Sequence, residues 1–212
     1  MISDQYQFVF VHVPKTAGLS ITQPLQQYCR PLTLLKGEHY WADVHGTCRH
    51  YIKRLGPELW ESFYKFSFVR NPWDRLVSAF LYMSHGGNNP LDRQLSQRHL
   101  ARFQGDFDAF VTQFIAGNGH LRLFHFYPQA RFLCDHAGSI LVDRVGRYEN
   151  LQADFSSICR DISLPEIQLD TVNPTQHRQQ RDYREFYSPE TKQIVADKYQ
   201  KDIDLFGYTF DG

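Results

Sequence analysis

Phe8-Val9-Phe10-Val11-His12-Val13-Pro14-Lys15-Thr16-Ala17-Gly18-Leu19-Ser20 passes from a run of β-formers into a turn that carries a lysine, two hydroxyls and a glycine. An amphipathic segment follows. Strand, turn and helix start, in that order, make an anion-binding loop. The first N–H groups of a helix point outward without intrahelical partners, and the helix dipole adds about +0.5 charge at that end. A phosphate or sulfate is the natural guest. A plain strand-to-helix turn with a surface lysine fits the same letters, so the loop needs company before it decides anything.

Working outward, residues 6–13 alternate in Phe and Val and read as a buried strand. From Thr16 to Cys29, Leu19, Ile21, Leu25 and Tyr28 fall at helical spacing, with Pro24 as a kink. Pro31–Leu35 reads as a short strand, 36–45 as a polar aromatic loop, 46–55 and 57–63 as helices, the latter opened by Pro57. Lys65–Arg70 is the second clear strand, stopped by Asn71-Pro72. Trp73, Leu76, Val77, Phe80 and Leu81 predict a helix to Met83. The stretch 84–105 reads as a loop or lid with a short helix, and Phe107, Phe110, Val111 and Phe114 mark another helix. Ala130–Cys134 and Leu141–Tyr148 read as strands around an Asp135-His136-Ala137-Gly138 turn. Residues 150–162 read as a helix and 165–187 as irregular. A last helix from Ser188 to about Asp204 opens with an N-cap, a proline and acidic charge. Strands alternating with helices predict an α/β fold, a mostly parallel central sheet flanked by helices, with ligands at the carboxyl ends of the strands.

The 212 residues suit one domain, taken as 1–212, with a substantial core. Lys+Arg and Asp+Glu are both 23, which argues against a nonspecific nucleic-acid binder and makes any basic site local. Aromatics are 15%, which core packing or ring stacking on a base can explain. No apolar run reaches the ~20 residues of a transmembrane span. Met1–Tyr6 does not read as a secretory leader. Cys29, Cys48, Cys134 and Cys159 are scattered without metal-ligand spacing. A reduced, cytoplasmic setting and no metal are the expectations.

The second informative block is Phe66-Ser67-Phe68-Val69-Arg70-Asn71-Pro72-Trp73-Asp74-Arg75-Leu76-Val77-Ser78-Ala79-Phe80. Arg70 stands at a strand's carboxyl end and Ser78 two helical turns on. A guanidinium fork and a hydroxyl can hold one phosphate. A salt bridge of Arg70 or Arg75 with Asp74 is the structural alternative. The first motif is not a Walker A loop, in which the lysine follows the glycines and a hydroxyl holds magnesium. Here Lys15 precedes Gly18, and no Walker-B acid is evident.

Together the two blocks resemble the sulfotransferases that use 3′-phosphoadenosine 5′-phosphosulfate. The branch of carbohydrate 2-O- and 4-O-sulfotransferases and their bacterial relatives is the most similar. Gly146-Arg147-Tyr148-Glu149-Asn150-Leu151, His125-Phe126-Tyr127-Pro128-Gln129 and Asp204-Leu205-Phe206-Gly207-Tyr208 extend the resemblance over residues 6–208. It implies a three-layer P-loop-like fold. It assigns Lys15, Thr16, Ala17, Gly18, Leu19 and Ser20 to the 5′-phosphosulfate, Arg70 and Ser78 to the 3′-phosphate, and Tyr148 to the adenine. Two positions depart: many relatives have Gly-Gly-Thr where Ala17-Gly18-Leu19 stands, and Ile21 replaces the tryptophan of the cytosolic small-molecule enzymes.

Sulfuryl transfer rests on positioning and charge stabilisation in line. Lys15 is the residue to meet charge on the leaving 5′-phosphate, and an acceptor hydroxyl needs a base. Histidine suits that role. Among ten, His45 is the first candidate, because relatives carry a His-x-Thr-like stretch in this interval that His45-Gly46-Thr47-Cys48 loosely matches. His39 is the runner-up, His12 reads as a strand residue with a structural bond, and His125 as a possible acceptor contact. Segments 36–45, 84–105, 119–128 and His177–Arg181 are candidates for acceptor recognition, the acceptor being a small-molecule or glycan hydroxyl, on a carbohydrate or glycolipid. A magnesium-dependent kinase or hydrolase, and a non-catalytic nucleotide-binding module, are the rival readings.

Overall fold

The computed structural model describes residues 1–29, 45–170 and 181–212. In chain order the main elements are β1 (Ile2–Ser3), β2 (Phe8–Val11), α1 (Gly18–Leu25), α2 (Cys48–Leu55), α3 (Pro57–Ser62), β3 (Tyr64–Val69) and α4 (Pro72–Ser84). There follow α5 (Pro90–His99), α6 (Phe107–Phe110), α7 (Ala130–Leu133), β4 (Arg144–Arg147), α8 (Leu151–Asp161), α9 (Pro189–Lys198) and α10 (Gln200–Phe206). They form two compact units, residues 1–70 with 129–172 and residues 71–128 with 173–212.

The first unit is a four-stranded sheet in the order β1-β2-β3-β4. β1 is antiparallel to β2, with Ile2 opposite Val9. β2 and β3 are parallel, Phe8 opposite Tyr64 through Val11 opposite Ser67. β3 and β4 are also parallel, Phe66 opposite Arg144 through Val69 opposite Arg147. The Phe-Val alternation explains the layers. Phe8, Phe10, Phe66 and Phe68 share one face and pack with Ile21 and Leu25 of α1 and Phe155 and Ile158 of α8. Each such ring removed from water is worth about 1.5–3 kcal/mol. Val9, Val11, Ser67 and Val69, on the alternate positions, are buried too. Burial on both faces is what parallel strands under helices show. Gly146 is required where β4 crosses β3, since a Cβ there would lie 2.4 Å from the Phe68 ring.

The second unit enters the chain between β3 and α7, and it answers the question of the aromatics. Phe80 of α4 meets Phe107 and Phe110 at ring distances of 5.3 and 4.8 Å, and Phe110 meets Phe126 at 5.2 Å. α9 adds Val195, and Tyr199 closes the cluster by donating its hydroxyl to the Phe126 carbonyl at 2.7 Å. The rings are core. α4 starts where it does because Asn71 caps it, accepting from the Trp73 N–H at 3.1 Å, with Pro72 at the first turn. Arg75 is buried and its guanidinium donates to the carbonyls of His125 and Tyr127.

Several expectations change. Ala130–Cys134 is not a strand: Ala130–Leu133 is helical, and Cys134 keeps only an isolated bridge to Ile140. Five residues with Ala130, Phe132 and Leu133 buried fit either period, and length did not arbitrate. The stretch 84–105 carries the ten-residue α5, capped by Asn89 and opened by Pro90. The last helix is broken at Tyr199 into α9 and α10. β1, two residues long, gave no readable period. Pro31–Leu35 lies outside the described residues. No helix among the described residues is long and apolar enough to cross a membrane.

Candidate functional site

The three parallel strands of the first unit deliver three loops to one edge. After β2 the chain turns twice into the left-handed region, at Lys15 (φ 69°) and Ala17 (φ 62°), before α1 begins at Gly18. Left-handed backbone at a residue with a side chain costs roughly 1–2 kcal/mol, and such strain concentrates where backbone is held for a ligand. Turns of alternating hand gather successive N–H groups into an anion-binding concavity, here at a helix N-terminus. The Thr16 hydroxyl does not face outward as expected: the residue is fully buried and its Oγ1 donates to the Val13 carbonyl at 2.9 Å, tying the turn together. Ser20 is buried on α1, and Leu19, where the sequence departs from its relatives, is 47% exposed. Lys15 is half-buried.

Gly18 allows a close approach. A Cβ on it would lie 1.6 Å from Nε2 of His12, so the imidazole presses on the first residue of the helix. The sequence suggests a strand residue with a structural bond for His12, but its Nδ1 is buried with no hydrogen-bond partner among the described residues. Its ring stacks on Phe10 at 5.8 Å and meets the His45 ring at 4.3 Å. Burial, then the His45 charge, holds the His12 pKa well below the ordinary 6.5.

His45 arrives from the other side. Its Nδ1 bonds the His12 carbonyl at 3.3 Å. A carbonyl only accepts, so this nitrogen carries the proton and Nε2 carries the lone pair. Burial pushes the His45 pKa down to about 4, the His12 bond opposing, with smaller lowering by Lys15. The imidazole is therefore neutral near pH 7, the form a general base requires. The next residues explain its placement: Thr47 caps α2 by accepting from the His50 N–H at 3.2 Å, which fixes the chain just after His45. His39 lies outside the described residues, as do 36–44 of the first candidate acceptor segment and 177–180 of the basic run.

Arg70 follows the last residue of β3 and is almost fully buried. Its guanidinium lies 3.9 Å from the centre of the Tyr148 ring, on the turn after β4, and one of its nitrogens donates to the Lys15 carbonyl at 3.4 Å. Loop, Arg70 and Tyr148 are thus one constellation across three strand ends. The residue that sequence reasoning missed is Gln129. Fully buried, it accepts from the Arg70 N–H at 2.9 Å and donates to the Arg70 carbonyl at 2.8 Å. Its amide extends the ladder one step past the strand and fixes the arginine's backbone. The only sequence signal was its place in the His125–Gln129 block.

Ser78 belongs to the second unit, buried on α4. So does His125, buried with its Nε2 3.6 Å from the carboxylate of Asp92, which also accepts from the Tyr82 hydroxyl at 2.5 Å. No group of three or more His, Cys, Asp or Glu among the described residues is arranged to hold a metal ion.

A family model described as the sulfotransferase family matches residues 1–209. Carbohydrate sulfotransferase 14 of Danio rerio is 24% identical over 244 residues, which cover 98% of this chain and 61% of that protein. Its counterpart in Mus musculus is 27% identical over 189 residues, covering 78% of this chain and 46% of that protein. An uncharacterized protein of Archaeoglobus fulgidus is 27% identical over 128 residues, 59% of this chain and 91% of its own length. The chain thus spans about half to three-fifths of the carbohydrate sulfotransferases it matches. No solved structure matches.

Proposed function

The chain belongs to the sulfotransferase family, and from that membership we propose that it transfers the sulfuryl group of 3′-phosphoadenosine 5′-phosphosulfate to a hydroxyl of a carbohydrate or glycolipid. We read residues 1–212 as one sulfotransferase domain of three-layer, P-loop-like wiring, which the family match over residues 1–209 supports. The observation that carries the donor assignment is Arg70, at once over the Tyr148 ring and bonded to the Lys15 carbonyl. An aromatic face beside a guanidinium, next to a helix-start loop, suits a purine nucleotide with phosphates at both ends.

The residues fit that donor. The left-handed turns at Lys15 and Ala17 bring successive N–H groups together at the helix start, where an anion is favoured, while the bare Cα of Gly18 admits the His12 ring behind them. When bound, the donor supplies an activated sulfuryl group on a phosphate leaving group. Lys15 and the N–H groups of Thr16–Ser20 hold the 5′ end and oppose the charge that grows there. Arg70, with Ser78, takes the 3′-phosphate, and Tyr148 takes the adenine. His45 accepts the acceptor's hydroxyl proton at Nε2 while its Nδ1–H stays on the His12 carbonyl. The acceptor oxygen forms its bond to sulfur as the bond from sulfur to the 5′-phosphate oxygen breaks, and that oxygen leaves with the electron pair.

Thermal melting with adenosine 3′,5′-bisphosphate, 5′-AMP and ATP tests the reading. The bisphosphate should raise Tm most, without magnesium. Equal shifts for all three would remove the 3′-phosphate assignment, and a magnesium-dependent shift by ATP alone would favour a kinase.

A further inference from the structure

His12 enters the proposed reaction only through its carbonyl, and its side chain is placed where two parts of the first unit meet. Its Nε2 bears on the Cα of Gly18, in the loop assigned to the donor. Its carbonyl accepts from Nδ1 of His45, and its ring lies 4.3 Å from the His45 ring. On the other side it stacks almost parallel on Phe10, at 15°. The residue is 5% exposed and its Nδ1 has no partner among the described residues.

That orphan nitrogen is the telling feature. A buried polar atom without a hydrogen bond lowers stability, and native proteins keep few of them. Packing alone does not call for an imidazole here. Phe10, two residues earlier on the same face, shows that the strand accepts an apolar side chain with no unmet nitrogen. The other ring nitrogen points at the backbone of the loop, the one direction in which a hydrogen-bonding edge could matter to a bound anion.

We propose that His12 is a positioning residue of the sulfuryl transfer: its imidazole braces the donor loop at Gly18 while its carbonyl and ring hold His45 against the same loop. The inference rests on the function proposed above. In it, the distance between base and donor is set by one residue touching both. When His45 becomes an imidazolium, its Nδ1–H bond to the His12 carbonyl becomes charge-assisted and strengthens, so the same contact favours the protonated product of the proton transfer. Donor affinity resides in the loop and in Arg70, so His12 should act on turnover more than on binding.

Two sets of variants test this. His12→Phe keeps the ring and removes both nitrogens; His12→Gln places an amide nitrogen near the position of Nε2. Release of adenosine 3′,5′-bisphosphate from 3′-phosphoadenosine 5′-phosphosulfate, with desulfated glycosaminoglycan chains as acceptor and with water alone, should fall about 30-fold or more in kcat for His12→Phe. The KM for the donor should stay within about threefold, and His12→Gln should recover most of the rate. Tm of His12→Phe should stay close to that of the wild type, so that the fall in kcat is not a loss of fold. A His12→Phe enzyme with wild-type kcat would overturn the proposal and leave the ring as packing. The second test needs no turnover. Gly18→Ala should weaken adenosine 3′,5′-bisphosphate binding about tenfold in the wild type, where the new Cβ meets Nε2, and less than about twofold in a His12→Ala background. Equal losses in both backgrounds would refute the brace. A wild type that does not bind the bisphosphate would defeat the donor assignment itself, a different result from either of these.

Discussion

Replacing Gln129 by leucine removes the two hydrogen bonds that fix the backbone of Arg70, one from its N–H at 2.9 Å and one to its carbonyl at 2.8 Å. Leucine is close in volume, so little cavity opens. The cost comes from a donor and an acceptor left buried without partners, at about 1–3 kcal/mol each, or roughly 2–6 kcal/mol together. With a urea m-value of about 3 kcal/mol/M, the unfolding midpoint should fall by about 0.7–2 M. Function should follow stability, because Arg70 reaches Tyr148 and the Lys15 carbonyl from that backbone. The Kd for adenosine 3′,5′-bisphosphate should rise about tenfold under conditions where the variant is folded, which corresponds to about 1.4 kcal/mol. Gln129→Glu separates the two bonds. A carboxylate still accepts from the Arg70 N–H but faces the Arg70 carbonyl with a second acceptor, so it should be as damaging at neutral pH and recover on acidification. Urea unfolding with calorimetric titration of the bisphosphate reads both effects. A midpoint within about 0.2 M of the wild type, with unchanged affinity, would refute the clamp, since even one such orphan group costs more.

The folded His45 is held down to about 4, below the 6.5 of an ordinary histidine, so between those values the unfolded chain binds more protons. The wild type should therefore be fully stable above about pH 6.5 and lose stability as the pH falls toward 4; His45→Gln should flatten part of that slope, His12 supplying the rest, and an unchanged slope in chemical denaturation would contradict the burial of the ring. The acid limb of kcat/KM should lie nearer pH 4 than 6.5. Lys15→Ala should lower kcat by at least about 100-fold, as loss of a charge-stabilising donor does in other enzymes, while the bisphosphate still binds. In the second unit, Asp92→Ala should cost about 3 kcal/mol, because it leaves the Tyr82 and Asn89 donors and the His125 ring without their shared carboxylate; a loss under about 1 kcal/mol in denaturant titration would show that the buried cluster is dispensable.

The parts of this molecule that a sequence makes legible are those with a local cause. The Phe-Val alternation of β2 and β3 and the caps at Asn71 and Ser188 can be read because each acts within a few residues. The places of Lys15 and Arg70 just beyond β2 and β3 were legible for a related reason: each follows a run of β-formers that a turn or a proline ends. The parts that escaped depend on distant partners. Gln129 lies 59 residues from the backbone it clamps, and nothing near it marks a fully buried amide. Ala130–Leu133 became a helix although its short apolar pattern fits a strand equally well. The Thr16 hydroxyl turned inward to Val13, which no spacing rule foretells. For His12 the sequence supports only a strand residue with a structural bond, because its neighbours, Gly18 and His45, meet it only in three dimensions.

The donor is what every proposed role at this site depends on. Labelled sulfate from 3′-phosphoadenosine 5′-phosphosulfate should move onto one member of a panel of desulfated glycans and glycolipids, at the same rate with a chelator present, and Lys15→Ala should abolish the transfer. Hydrolysis of ATP dependent on magnesium, with no sulfate transferred to any acceptor, would contradict it.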